Sequence, residues 1–466
     1  MKGMNMRIAI FGTGEYSSIY SSCIPKEMIA YYLDNNSLKW GHLFNERPVK
    51  SPDDIDYAEM DYVVIMVFRG EYIAEQIIGL GMPKERVIQY YELADILNLP
   101  LNLHNRGEII DSESWINSSP KKRIFLCSHD FSRTGVPVAS MHLSKLLIKE
   151  GYDVVFGALR NGTLEEDLDI EGIVYIDNLG IYETSRRFRN FLEAFDAVVF
   201  GTIAVGRFAN VTIDYMKPVF FWIHESYDKY FKKHILPEDK SNYFYLLEGD
   251  KSDAMFKKYY PQRHTERMLY YLPDKDLCVQ TTKIGHEKTV FLLAGSVSRR
   301  KGQDVFVNAL KFIPQQVKQY MKFIVVGLDM GELEIDWNAV REDGNDLVYI
   351  EELSQIELEQ LYNEVDVLLC PSREDSDPIV VTQAFQHRIP CIISDGVGQS
   401  RFMENNKGGY VFANENSEML ASYMQNIVTE DEAMLSKADE ARDIFDMYFS
   451  EKAIKSIVDE KILARI

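Results

Sequence analysis

Short, continuous apolar runs, each closed by a polar or glycine-bearing turn, recur along the whole chain. Arg7-Ile-Ala-Ile-Phe11, Ile29-Ala-Tyr-Tyr-Leu33, Asp61-Tyr-Val-Val-Ile-Met-Val-Phe68 and Arg86-Val-Ile-Gln-Tyr90 come first. Lys121 to Ser128, Gly151 to Phe156, Asp196 to Thr202 and Pro218-Val-Phe-Phe-Trp-Ile223 follow, then Val290-Phe-Leu-Leu-Ala294, Val367-Leu-Leu-Cys370 and Pro390-Cys-Ile-Ile-Ser394. None alternates apolar with polar, so these are strands buried on both faces, as in parallel sheets covered by helices. Between them lie stretches with helical spacing, among them Gly135 to Lys149 and Ile379 to Gln386. The pattern predicts an α/β protein throughout.

A chain of 466 residues is expected to hold about three domains of roughly 100–200 residues each. Residues 1–105 read as a separate unit, and 106–120, polar and ending in Asn117-Ser-Ser-Pro120, as a linker. Two further wound halves are expected over 121–280 and 281–466, with a hinge from Pro273-Asp-Lys-Asp276 to His286-Glu-Lys288. An amphipathic helix is expected from Tyr448-Phe-Ser450 to Ile466.

Two loops carry the chemistry. Gly295-Ser296 closes one buried strand and leads to Arg299-Arg300-Lys301-Gly302-Gln303-Asp304, which opens a helix. Pro371-Ser-Arg-Glu-Asp-Ser-Asp-Pro378 closes another. Ligands of open parallel sheets bind at such strand-to-helix loops. Arg300 and Lys301 would offer fixed cations to a diphosphate, beside helix N–H groups that favour an anion. Glu374 and Asp375 would accept hydrogen bonds from hydroxyls. A sugar nucleotide needs both, although a basic run at a helix start and an acidic helix cap are also common surface features.

Pro371-Ser372 with Asp375 and Gln383-Ala384, together with Gly295-Ser296 and Arg300-Lys301-Gly302, resembles the C-terminal lobe of GT-B glycosyltransferases of family 4. The resemblance runs from about Lys121 to the C-terminus. It implies a GT-B fold of two Rossmann-like lobes, the acceptor-side lobe at 121–280 and the donor-side lobe at 281–466. It implies transfer, with retention, from a nucleotide-diphosphate sugar to a hydroxyl of a glycan, glycolipid or glycoprotein, with no cofactor or metal required. Asp375-Ser376-Asp377 would otherwise suggest a metal-binding pair of acids.

The same resemblance assigns further roles. Gly135, in Thr134-Gly135-Val136, would approach the donor phosphate, though Gly135-Val-Pro137 is equally an ordinary helix start. His224, in Trp222-Ile-His-Glu225, would lie beside the donor sugar and the incoming hydroxyl, with Glu225 orienting it or holding the acceptor. Two positions depart from the family. Ser296 stands where an arginine is frequent, and Gln383 where a carboxylate holds the ribose hydroxyls. Those departures favour the alternative of a catalytically inactive GT-B-like subunit that binds a partner transferase or glycan.

In the front unit, Gly12-Thr-Gly14 follows the first strand and Asp34 ends the second. This is the start of a dinucleotide-binding βαβ unit, with Ser17 in place of the third glycine. A nucleotide held by Gly12, Gly14 and Asp34 is one reading, and a regulatory or docking module without a ligand is the other.

Charge narrows the partners. Acidic residues outnumber basic ones 72 to 51, a net charge of −21, which disfavours nucleic acid. Arg186-Arg187-Phe188-Arg189, Lys232-Lys233 and Lys257-Lys258 to Arg263 are local exceptions, readable as a solvated face or as peripheral contact with an anionic membrane. The five cysteines are scattered and odd in number, and no apolar run has the ~20 residues of a membrane span, so a cytoplasmic protein is expected.

Overall fold

A computed structural model describes residues 6–68, 70–274, 287–429 and 431–466. The expected hinge and Cys278 lie largely or wholly outside them. The chain divides into two compact units, one of Met1–Ser132, Leu147–Val199 and Val205–Lys217, the other of Arg133–Leu146, Phe200–Ala204 and Pro218–Ile466. Both are α/β, and their strands are mainly parallel.

In the first unit, a six-stranded sheet runs in the order Leu43–Phe44, Arg47–Lys50, Ile29–Leu33, Ile8–Phe11, Tyr62–Ile65, Val87–Gln89. It is parallel apart from the edge hairpin. A second group of strands starts with Arg123–Ser128, Asp153–Ala158 and Val174–Ile176 in parallel. Asn102–Asn105 then pairs antiparallel with Val174–Ile176 and with Glu108–Asp111.

That hairpin corrects the expected boundary. Residues 106–120 hold the hairpin turn, its second strand and the helix Ser112–Ile116, where a linker was expected. Arg106 and Gly107 both have positive φ (52° and 75°), the geometry of a two-residue turn matched to strand twist. The front residues are also fastened to later parts of the same unit. Asp95 accepts from Ser185 Oγ (2.7 Å) and the Arg186 N–H (3.2 Å), the Tyr182 hydroxyl donates to the Pro100 carbonyl (2.6 Å), and that of Tyr20 to the Leu159 carbonyl (3.0 Å). Removing residues 1–105 takes away one strand of the hairpin and all of these partners. The remainder is expected to melt on the order of 5–10 °C lower than the full chain by circular dichroism. An unchanged midpoint would restore a boundary at residue 105.

In the second unit, the strands Val219–Ile223, Tyr243–Leu247 and Thr265–Arg267 are parallel. A six-stranded parallel sheet runs Leu347–Ile350, Met321–Val326, Thr289–Ala294, Val367–Cys370, Cys391–Ser394, Gly409–Phe412. Chain order reverses between Thr289–Ala294 and Val367–Cys370, which makes the loops after these two neighbours the switch point where such sheets take ligands. The core beneath them includes Phe291, Phe306, Phe323, Val367 and Ile392.

Residues 218–274 belong to this compact unit for identifiable reasons. The Tyr270 and Thr382 hydroxyls are 2.6 Å apart, Gln386 Nε2 donates to the Pro273 carbonyl (2.8 Å), and the Leu272 N–H to that of Phe449 (3.1 Å). The closing helix Glu451–Lys461 and the turn after it place Lys461 and Arg465 on Glu266, at 3.0 and 2.6 Å.

Candidate active site

The loop after Thr289–Ala294 turns at Gly295, where φ is 141°. A Cβ on Gly302 would lie 2.1 Å from the Pro371 carbonyl oxygen, so only glycine lets the two switch-point loops meet there. Helix Gln303–Ala309 begins after Gly302, so Arg300 and Lys301 sit in the turn ahead of it, not in its first turn as expected. Gln303 is buried and ties that turn together, receiving the Ser298 N–H and donating to the Gly295 and Ser296 carbonyls. Arg373 fastens the turn to the acidic loop through both oxygens of Asp304 (2.8 Å each) and the Arg299 carbonyl (2.6 Å).

These ties bring Arg300, Lys301 and Asp375 together. Lys301 Nζ lies 2.6 Å and Arg300 Nη1 3.1 Å from Asp375 Oδ2. Tyr227, unremarked in the sequence, completes the group: its hydroxyl donates to Asp375 Oδ1 (3.2 Å) and accepts from Arg300 Nη1 (2.9 Å). Burial raises the Asp375 carboxyl, but Lys301 and Arg300 more than offset this and hold it below the ordinary value. The carboxylate expected to face sugar hydroxyls is thus held by the two cations expected to face the diphosphate. Glu374 contributes its carbonyl, which accepts from Arg300 at 3.2 Å, while its side chain is exposed.

Asp377 takes a different partner. Both its oxygens receive the Arg401 guanidinium, at 2.9 and 2.7 Å. Burial pushes its carboxyl up to about 8 against the opposing pull of Arg401. Both acids of Asp375-Ser376-Asp377 are therefore ion-paired with side chains, and no cluster of three or more potential metal ligands occurs among the described residues. The turn after the strand Cys391–Ser394 supplies the close backbone approach. A Cβ on Gly398 would lie 1.3 Å from the Ser376 carbonyl oxygen, and the Gly398 N–H donates to the Asp375 carbonyl at 2.9 Å.

His224 follows Val219–Ile223 and is buried, as is Glu248 after Tyr243–Leu247. Ile223 pairs with Leu247 in register, which sets the next residue of each strand side by side. His224 Nδ1 lies 3.0 Å from Glu248 Oε1, and Nε2 has no hydrogen-bond partner. The carboxyl on the ring is that of Glu248. Glu225, expected to orient the ring or hold the acceptor, receives the Thr202 hydroxyl and the Ile203 N–H (3.3 Å). Burial pulls the His224 imidazole down to about 4, with Glu225 and Asp377 acting against it.

Gly135 opens the helix Gly135–Lys149, and the nearest atom to a Cβ there would be on Ile379, 4.0 Å away. Gln383 is buried on the helix Ile379–Gln386, with its carbonyl oxygen accepting from the Tyr362 hydroxyl at 3.1 Å. Ser296 stands beside Gly295 with its carbonyl taken by Gln303. Of the basic clusters, Lys232 and Lys258 pair with Asp228, Lys257 with Asp253, and Arg263 lies over Tyr260. In the front unit, Gly12 has φ 114°, and the Ser17 hydroxyl donates to its carbonyl at 2.8 Å. Gly14 precedes the six-residue helix Glu15–Tyr20. Asp34 receives Thr13 and Lys39, the latter at 2.9 Å, and they draw its carboxyl down against the upward effect of burial. No described helix is long and apolar enough to cross a membrane.

Residues 274–443 match Glycosyl transferases group 1, and residues 120–280 match Glycosyl-transferase family 4. Residues 4–88 match C2185-like, N-terminal. No curated protein matches the chain. Among solved structures, Anabaena Alr3699/HepE in complex with UDP and glucose is similar, with a TM-score of 0.60 at 13% identity, covering 74% of this chain and 100% of its own. A glycosyltransferase from Rickettsia africae gives 0.59 at 15%, covering 73% and 99%. WaaG, a glycosyltransferase involved in lipopolysaccharide biosynthesis, gives 0.55 at 16%, again covering 73% and 99%. Two adjoining glycosyltransferase matches thus span residues 120–443, and the parallel sheet with its switch-point loops lies within the match at 274–443. The chain is a GT-B glycosyltransferase of the family 4 type.

Proposed function

We propose that the protein moves a sugar, with retention, from a nucleotide-diphosphate sugar to a hydroxyl of a glycan, lipid-linked or protein-linked acceptor. The observation that carries this reading is the convergence of Arg300 and Lys301 on Asp375 at the switch point. An arriving diphosphate competes for the two cations, and Asp375, as it gives them up, becomes an acceptor for the donor's hydroxyls. As the bond to the sugar breaks, charge growing on the leaving phosphate meets cations already in place. His224 stands beside the reacting centre, and the leaving phosphate takes the acceptor's proton. UDP and glucose in the similar HepE structure support a nucleotide-sugar donor. The test is incubation of purified protein with individual sugar nucleotides, without acceptor, scored for released nucleotide diphosphate.

Transfer is expected to proceed unchanged in excess chelator, because Arg300 and Lys301, once the diphosphate has drawn them from Asp375, are the cations that serve it. Loss of activity in chelator, restored by Mg²⁺ or Mn²⁺, would contradict this.

Gln383 favours a second reading, an inactive binding subunit, since its one acceptor oxygen is already engaged by Tyr362. A carboxylate there would keep the Tyr362 contact and have an oxygen to spare for a ribose hydroxyl. Gln383→Glu is expected to tighten donor binding by about 1 kcal/mol, roughly fivefold, measured by calorimetric titration. If neither form binds any sugar nucleotide, the subunit reading takes its place.

A further inference from the structure

His224 and Glu248 form a buried pair that neither the sequence motifs nor the family matches assign. We propose that Glu248 is a positioning residue for His224: its carboxyl donates a hydrogen to Nδ1 and so fixes the ring tautomer that carries hydrogen on Nε2. The inference rests on the transfer reading above for its purpose, since the N–H so created is the group the ring offers to a sugar or acceptor oxygen.

The geometry sets the proton's place. Among the described residues, the imidazole's Nδ1 meets Glu248 Oε1 at 3.0 Å, and Nε2 is unpartnered. One proton shared across that contact decides what Nε2 can do. An ionised Glu248 would draw the hydrogen to Nδ1 and leave Nε2 an acceptor, whereas a protonated Glu248 makes it a donor.

The surroundings favour the protonated acid. Glu225 and Asp375 add negative charge near Glu248, and the cation that acts against them, Arg401, is committed to both oxygens of Asp377. Arg401 reaches the backbone carbonyl of Glu248 at 3.5 Å. The Ser376 side chain hydrogen-bonds the carboxyl and draws it down, a smaller effect than burial, and the Tyr270 hydroxyl nearby brings no cation. Burial accordingly drives the Glu248 carboxyl well above its ordinary range, against Arg401, while burial of His224 keeps the ring neutral.

Ring-nitrogen NMR of the full-length protein labelled with ¹⁵N-histidine reads the tautomer directly, with His224→Gln used to assign its signals among nine histidines. At neutral pH the expected spectrum has a bare Nδ1 and a protonated Nε2. Glu248→Gln can still donate an N–H and is expected to keep that pattern, whereas Glu248→Leu should lose it. In turnover, Glu248→Leu should lower kcat on the order of 10²-fold with a smaller change in KM, and Glu248→Gln no more than about tenfold. Because a raised carboxyl pKa keeps its proton below that value and loses it above, wild-type kcat should fall as pH rises through it, and Glu248→Gln should lack that fall. A wild-type ring with hydrogen on Nδ1 and a bare Nε2 would overturn the proposal. So would matching pH profiles for the wild type and Glu248→Gln. The wild-type and Gln spectra decide the matter even if Glu248→Leu fails to fold. If no sugar nucleotide is turned over, the transfer reading fails, and the spectra still test the pair.

Discussion

Replacing Lys301 with alanine is expected to lower turnover by about 10²-fold or more while leaving the protein folded. The fold should survive because Asp375 keeps Arg300 at 3.1 Å and the Tyr227 hydroxyl at 3.2 Å, so no buried carboxylate is stranded. The rate should not survive. Lys301 is a fixed cation largely shielded from solvent, and losing one group aimed at developing charge typically removes several kcal/mol of barrier reduction. The loss should fall on kcat more than on KM, since the charge on the leaving phosphate grows only as the bond breaks. Steady-state kinetics with the identified donor, beside a thermal melt, check both halves. A variant with near wild-type kcat at full donor occupancy would remove Lys301 from the mechanism.

Asp375→Ala should have a different signature. It deletes the carboxylate that occupies both cations in the free protein and, on the proposed reading, the acceptor for the donor's hydroxyls. Transfer should fall on the order of 10²-fold, the loss of one or two charge-assisted hydrogen bonds. The nucleotide diphosphate alone should bind at least as tightly as to the wild type, because Lys301 and Arg300 no longer have to be freed from an internal ion pair. The substitution therefore separates product affinity from turnover. Calorimetric titration with the nucleotide diphosphate, compared with kcat, measures each side. Weaker nucleotide binding together with unchanged transfer would reverse both expectations.

The position of the two loops was legible because each follows a continuous apolar run, and both runs became adjacent central strands, Thr289–Ala294 and Val367–Cys370. Arg300, Lys301 and Asp375 could be nominated from that alone. Their mutual contact could not, since it depends on Gly302 passing under Pro371 and on Arg373 bridging the loops. Glu248 was missed for a similar reason: its meaning lies in the register of Ile223 with Leu247, which no local pattern encodes. Arg401 and Asp377 are likewise brought together by the turn at Gly396 and Gly398. The hairpin at Asn105-Arg106-Gly107-Glu108 did carry a local signal, a glycine between short runs, but polar composition around it suggested a linker. The distance of Asp34 from Gly14 says nothing of Lys39, which reaches the Asp34 carboxylate.

Release of nucleotide diphosphate from sugar nucleotides by the purified full-length protein, compared with its Lys301→Ala variant, decides whether the switch-point cations act on a sugar nucleotide. The wild type should cleave at least one sugar nucleotide, and the variant should do so about 10²-fold more slowly. Release by both proteins at equal rates, or failure of the wild type to bind or cleave any sugar nucleotide, would contradict that role of the cations.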